Sequence, residues 1–197
     1  MLTNGLHDLP KGKVPTIVTH LEMTAPAPTR GHPAPDGITF EDGARDVSWY
    51  RDVFDRVGRP WMWFGRRVLS DGDLLAILSD PRVALYTLRM DGRDEALLEL
   101  DFRQSGECEL AYFGLTPALI GTGAGRYLMD HAIRLAWAQD ITRFHVHTCT
   151  FDSQQALAFY IRSGFTPYKQ QVEIEDDPRL TGVLPRDVGS HIPLLEG

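Results

Sequence analysis

Apolar and polar positions alternate along Val14–Met23 (VPTIVTHLEM), with Ile17, Thr19 and Leu21 on one face, which predicts a first strand. Thr24–Gly37 breaks the pattern: Pro26, Pro28, Pro33 and Pro35 fix φ and remove donors, so this run reads as a loop. Over Asp46–Val57 the period lengthens to that of a helix. Trp49, Val53 and Val57 recur along one side, Tyr50 and Phe54 widen the stripe, and Gly58 is the expected stop. An aromatic connection, Gly58–Phe64 (GRPWMWF), leads to a second helix over Asp71–Ser79, with Leu74, Leu75, Ile77 and Leu78 inward and Pro81 beyond its end.

Alternation returns at Arg82–Met90 (RVALYTLRM), a predicted strand that turns at Asp91-Gly92 into its partner Glu95–Phe102 (EALLELDF). Arg103–Gly106 is a second turn and Glu107–Leu115 (ECELAYFGL) a third strand, which makes an antiparallel meander. The pattern is then helical over Gly125–Gln139, where Leu128, Ala132, Leu135 and Ala136 share a side flanked by Met129 and Ile133. Arg143–Thr150 (RFHVHTCT) is the next strand. Strand, helix, strand is a right-handed crossover, so Glu107–Leu115 and Arg143–Thr150 should run parallel. Ser153–Ser163 predicts a short helix, capped by Asp152 or Ser153 and ended by a left-handed Gly164, and Phe165–Glu175 a last strand or hairpin. Met1–Lys13 reads as a loose arm, and Asp176–Gly197, with Pro178, Pro185 and Pro193, as an irregular tail. Three segments follow: 1–37, an arm with the first strand and the proline-rich loop; 38–175, the main domain; and 176–197, the tail.

Composition narrows the function classes. A chain of 197 residues that is 43% hydrophobic and 24% charged can bury a sizeable core. A formal charge of −7 argues against a nucleic-acid partner and suits a cationic small molecule such as an amine. Only Cys108 and Cys149 are cysteines, read as free thiols in a reducing cytoplasm. No apolar run approaches the roughly 20 residues that span a bilayer, and Met1–Pro10 lacks the pattern of a secretory signal. The expectation is a cytoplasmic protein with no membrane partner.

Chemistry concentrates in Ile120-Gly121-Thr122-Gly123-Ala124-Gly125-Arg126, where a strand turns into a helix. A helix N-terminus presents unpartnered N–H groups and the positive end of a dipole, and glycines let successive N–H groups point into one concavity that fits a phosphate. By itself such a turn is more often a tight strand-to-helix packing turn than a phosphate site. A P-loop would need GxxxxGK followed by Ser or Thr, and no Lys is near. A dinucleotide fold would place its glycines early in repeated strand–helix units, whereas this turn comes late and follows a meander.

The run ELAYFGLTPALIGTGAGRYLMDHA (Glu109–Ala132) resembles the cofactor motif of the GNAT superfamily of N-acetyltransferases, and ALAFYIRSGF (Ala156–Phe165) is similar to that family's later motif. The order of elements agrees as well, and the resemblance spans roughly Ile38 to Lys169. It implies an α/β (α+β) fold of GNAT type, a central mixed but mainly antiparallel sheet with helices on both faces. It also implies acetyl-CoA as cosubstrate, no metal, and an amine acceptor on a small molecule or peptide; homodimers are common in the family. Three departures stand out: Ile120 where the family has Gln or Arg, Ser153 beside Asp152 where an Asn is common, and the unmatched Thr24–Gly37.

Carried over residue by residue, the resemblance makes Tyr160 the group that protonates the CoA thiolate, against the alternative of a core tyrosine next to Phe159. Glu109 takes the position of a general base acting through water; Glu107, Glu99 and Asp101 share its surroundings, and the alternative is a set of solvated hairpin carboxylates. Phe113 and Leu115 would offer backbone groups to the pantetheine arm and acetyl carbonyl; Pro117, Gly121, Thr122, Gly123, Ala124, Gly125, Arg126 and Ser153 complete the cofactor set. His145 and His147 alternate on one strand, but two histidines supply at most two ligands and no third is spaced to join them, so they read as cleft lining or packing. Nothing triad-like surrounds Cys149. Trp61, Met62, Trp63 and Phe64 would form an aromatic wall for the acceptor, or a staple pinning the helices, or a dimer contact. The second functional reading is a non-catalytic acyl-CoA-binding module.

Overall fold

The computed structural model describes residues 3–196; Met1 and Leu2 of the expected arm and Gly197 of the expected tail lie outside the described residues. Strands β1 (Lys13–Met23), β2 (Ile38–Asp42), β3 (Val83–Met90), β4 (Arg93–Asp94), β5 (Ala96–Asp101), β6 (Glu107–Leu115), β7 (Arg143–Cys149) and β8 (Thr166–Asp176) build one sheet. Its order is β2-β3-β5-β6-β7-β1-β8, with β4 beside β3. Only β6 and β7 pair in parallel, as the crossover through α3 (Ala124–Trp137) requires; the other pairings are antiparallel. Helices α1 (Val47–Gly58) and α2 (Asp71–Ser79) cover one face, and α3 and α4 (Ala156–Arg162) the other.

The helix α1 forms where its apolar period and cap agree. Asp46 accepts the Trp49 N–H at 2.8 Å, and Tyr50, Val53, Phe54 and Val57 are at most 1% exposed. Each such side chain stabilises the fold by about 1.5–3 kcal/mol on burial. The helix ends at Gly58 as expected, but without a left-handed glycine. Gly58 has φ −92° and remains helical; the left-handed residue is Met62, at φ 53°, after a 3-10 turn over Arg59–Trp61. Glycine is needed at position 58 for space, since a Cβ there would meet Trp63 at 2.5 Å. Helix α2 buries Leu74 and Leu78 only, with Leu75 46% exposed, because two turns present a single row to the sheet.

Strand β5 is buried along its whole length: Ala96, Leu98 and Leu100 pack toward α3, and Leu97 toward α1. Strand β1 departs from the predicted single face. Val14, Thr16 and Val18 are buried, then Leu21 and Met23 of the opposite parity, while Ile17 is 41% exposed. The reason is tertiary: β1 is inserted between β7 and β8, its two ends bury against different faces, and its register with β8 shifts at His20/Leu21. Helix α3 buries Leu128, Met129, Ala132, Ile133 and Ala136, and Leu135 sits at the edge of the stripe.

Helix α4 is shorter than predicted and starts from Gln155 without a side-chain cap. Asp152 instead ties down the end of β7, accepting from Thr148 Oγ1 (2.7 Å) and the Cys149 N–H (3.0 Å). Gly164 ends this region at φ +105°, with its Cα facing Ala27 of the proline-rich loop. The segment after β8 is irregular but anchored. A buried Asp177–Arg179 pair (2.7 Å) sends Arg179 donors to the carbonyls of Val188, Gly189 and Ile192, and Leu184 and Val188 pack with Val14, Met62 and Phe151. Among the described residues, no helix is long and apolar enough to cross a membrane.

Candidate active site

The site begins as a failure of pairing. Strands β6 and β7 pair only from Glu107–Arg143 to Glu109–His145, and beyond that they diverge. In the same stretch β6 carries a bulge: Glu99 faces Tyr112 while Leu100 faces Leu110, leaving Ala111 as the extra residue. The bulge resets the alternation. Cys108, Leu110, Phe113 and Leu115 pack toward α3, whereas Tyr112 packs with the α1 cluster and Gly114 has room for no Cβ against Val57 (2.4 Å). Thr116 donates its N–H across to Glu95 O of the β5 side (2.9 Å). By strand alternation, Leu115 and Phe113 direct theirs the other way, into the gap left by β7.

A cleft of about 540 Å³ occupies that gap. Phe113, Leu115, Gly125, Ser153 and Tyr160 line it, together with Ile120, which is 57% exposed. Its other walls are Trp61, Trp63 and Phe64 on the α1 side and Glu173 and Glu175 from β8. Pro117, Gly121, Thr122, Gly123 and Ala124 lie just outside this cleft, and Arg126 faces a second, smaller pocket. The structure thus gathers five of the expected cofactor and acid residues around one space and places the rest on the turn leading away from it.

At the turn, Gly121 (φ 85°) and Gly123 (φ 95°) are left-handed, a conformation that costs a side chain about 1–3 kcal/mol. Thr122 braces it: its hydroxyl donates to Leu119 O (2.8 Å) and accepts the Ala124 N–H (3.3 Å). Arg126 N–H donates to Gly123 O, but the N–H groups of Gly121, Gly123 and Gly125 have no intramolecular partner among the described residues. Three unpartnered donors at the head of a 14-residue helix suit an anion. The Arg126 guanidinium folds back over them, its Nη2 3.7 Å from where a Gly123 Cβ would stand.

Tyr160 is only 7% exposed, among Phe113, Phe159 and Phe165, and its hydroxyl makes no hydrogen bond among the described residues. Burial, and to a lesser degree the charge of Asp152, pushes its phenol well above the usual value, so it stays protonated. Across the sheet, two rungs join β6 to β7: Glu107 with His145 (3.4 Å) and Glu109 with His147 (3.5 Å). His147, 3.5 Å from Glu109, holds its carboxyl below the usual range, and Glu109 in turn raises the His147 imidazole. Each histidine faces a carboxylate. Among the described residues there is no group of three or more His, Cys, Asp or Glu side chains that could hold a metal.

Glu99 and Asp101 lie on the same side of the sheet as Glu109, as expected, with Asp101 directly opposite it in register, but neither is solvated. Glu99 is fully buried, accepting from Tyr50 Oη and from Arg66 (2.5 Å), and Asp101 is clamped by Arg103 (2.6 Å). Arg66 also lies over the Tyr112 ring at 5.2 Å, so this network props the aromatic wall. Sequence reasoning missed the partnership of His147 with Glu109, and the approach of Glu173 and Glu175 to the cleft. Both depend on which strands become neighbours. The alternation of Glu173 and Glu175 was visible, but nothing local aimed them at a cleft.

A family model described as the acetyltransferase (GNAT) family matches residues 39–165. A mycothiol acetyltransferase of Jonesia denitrificans is 37% identical over 68 residues, which is 34% of this chain and 21% of that protein. The chain superposes on a GCN5-related N-acetyltransferase from Sphaerobacter thermophilus with a TM-score of 0.62 and 17% identity, covering 84% of this chain and 53% of the other. An aminoglycoside acetyltransferase, meta-AAC0020, from an uncultured soil metagenomic sample gives a TM-score of 0.57 and 13% identity, covering 70% of this chain and 94% of that one. The chain therefore spans about a fifth of the curated relative and about half of the first of these structures.

Proposed function

The chain belongs to the acetyltransferase (GNAT) family, and from that premise we propose that it moves an acetyl group from acetyl-CoA to a primary amine of a small molecule or peptide by direct attack. The observation that carries this reading is the splayed gap between β6 and β7, with a protonated Tyr160 lining it and an ionised Glu109 held on the strand just before the divergence. The residues present fit the cosubstrate. The free N–H groups of Gly121, Gly123 and Gly125 suit its pyrophosphate, and the outward N–H groups of Phe113 and Leu115 suit its pantetheine arm and thioester carbonyl.

Each proton then has a place. An alkylammonium must lose a proton before it can attack, and Glu109, kept as a carboxylate by His147, accepts it through water. The polarised thioester carbonyl takes the amine's lone pair. As the carbon–sulfur bond breaks, Tyr160 gives its phenolic proton to the departing thiolate, and the second proton of the attacking nitrogen, lost as the amide forms, passes through water to restore the phenol. The divergence of the strands brings the two reactants into one cleft, which is where most of the rate gain from orientation would arise. Acidic Glu173 and Glu175 with Trp61, Trp63 and Phe64 favour an acceptor that is cationic with an apolar part. A cytoplasmic, metal-free enzyme fits this scheme.

The test is thiol release from acetyl-CoA across a panel of primary amines, beside calorimetry with CoA, ATP and NAD. Amine-dependent thiol release supports the proposal. Failure to bind CoA would sink it, and CoA binding without turnover on any amine would leave a non-catalytic acyl-CoA module in its place.

A further inference from the structure

The sheet ends in an open edge. Strand β8 is last in the order, pairs only with β1, and is exposed at every one of its 11 residues. Among the described residues its outer backbone groups have no hydrogen-bond partner. Long edges of this kind are usually blunted, because a row of free N–H and C=O groups can pair with any strand that meets it. Here the blunting is confined to the start of the strand, where Pro167 lacks a donor and the register with β1 shifts between His20 and Leu21. From Lys169 to Asp176 the pairing with β1 is regular, so this stretch presents an unbroken edge.

That edge is self-complementary. Lys169, Gln171, Glu173 and Glu175 share the face on which the two glutamates line the main cleft, and Gln170, Val172 and Ile174 share the other. Lys169, Glu173 and Glu175 form no ion pair among the described residues; the pairs of the neighbouring strands use other side chains. On the second face Val172 is 44% exposed, Ile174 52%, and Ile17, the partner of Val172 on β1, 41%. A copy of β8 related by a two-fold axis at Val172 runs antiparallel to it. Lys169 then stands opposite Glu175 of the partner subunit, Gln171 opposite the partner's Glu173, and Val172 opposite the partner's Val172. Ile17 and Val172 of both copies make one apolar row across the joined sheets. Moving the axis to Glu173 sets that carboxylate against its own copy, and moving it to Gln171 runs the pairing into the irregular start of the strand. A foreign strand has no reason to match the lysine and both glutamates together, whereas a second copy does so by symmetry.

We propose that the chain forms a two-fold dimer by antiparallel pairing of β8 with β8 of a second copy, centred on Val172. The sheet becomes continuous through both subunits, and the partner's Lys169 reaches the rim of the cleft beside Glu175. The pairing stands on backbone and surface chemistry and does not depend on the reaction proposed above. Analytical ultracentrifugation of the full chain through the micromolar range tests it, and the expected mass is twice that of the monomer. Val172→Glu, at an exposed position, sets two carboxylates together at the axis and should give a monomer, with an unchanged circular dichroism spectrum showing that the fold persists. Lys169→Glu creates two like-charge pairs and should raise the dimer dissociation constant about tenfold. Adding Glu175→Lys to that variant should restore it, since the reversed charges again face each other. A monomer at every concentration overturns the proposal and leaves the edge to a different chain. A dimer that Val172→Glu leaves intact also overturns it, because such a dimer uses another face. Failure of Glu175→Lys to rescue Lys169→Glu refutes the register centred on Val172.

Discussion

Replacing Tyr160 by Phe removes a single oxygen and separates chemistry from binding. The phenol is 7% exposed, its ring contacts Phe113, Phe159 and Phe165, and its hydroxyl has no hydrogen-bond partner among the described residues. Phenylalanine keeps those ring contacts and orphans no buried group, so stability should change by less than about 0.5 kcal/mol. The affinity for CoA should stay within about twofold on the same grounds. The reaction, in contrast, loses its proton donor. A positioned general acid contributes about 100-fold to 10,000-fold. That range corresponds to about 2.7–5.4 kcal/mol of barrier. Because burial raises the phenol's pKa, the hydroxyl remains protonated through neutral pH, and its removal should depress kcat evenly across that range and spare any basic limb. Steady-state thiol release on the best amine of a panel, with calorimetry for CoA, reads both quantities. A kcat within about threefold of the unaltered enzyme, with CoA affinity intact, would refute the assignment of Tyr160 as the acid.

Four further outcomes follow from the structure. Glu109→Gln should lower the His147 pKa towards that of an ordinary imidazole, because Glu109 is the main cause of its rise; an unchanged His147 titration by NMR would contradict the pairing. The Glu109–His147 contribution to stability should be lost as pH falls through the depressed Glu109 value, and lost again as pH rises through the raised His147 value. Melts of the unaltered protein and Glu109→Gln should therefore differ most between those limits. Glu99→Ala leaves Arg66 and Tyr50 facing a buried void, at a cost of about 3–5 kcal/mol in denaturant unfolding. The pair Glu99→Leu, Arg66→Met should recover most of it, and failure to do so would mean packing rather than charge sets that cost. Gly164→Ala places a Cβ 2.4 Å from Ala27 at φ +105°, so it should destabilise by about 1–3 kcal/mol and loosen the proline-rich loop, read as faster amide exchange over residues 24–37.

Local chemistry made much of this protein legible in its sequence. The apolar period of α1, the Asp91-Gly92 turn, the left-handed Gly164, and the crossover that sets β6 parallel to β7 all depend on short-range sterics or on the handedness of the chain. The same holds for the anion-ready turn, since its donors come from consecutive backbone atoms. What only the tertiary structure decided are the features that need two distant segments to meet. The insertion of β1 between β7 and β8 splits its buried face, and the bulge at Ala111 turns Phe113 and Leu115 back toward α3 after the alternation would have sent them away. Glu99 reads as a hairpin carboxylate until Tyr50 and Arg66 close over it. Arg30, Arg126 and Arg162 are far apart along the chain and share one pocket only because the loop after β1 folds across α3 and α4. Side-chain periodicity states which way a residue points along its own element; the partner that it then meets is set by strand order and register, and those are settled by burying the whole sheet at once.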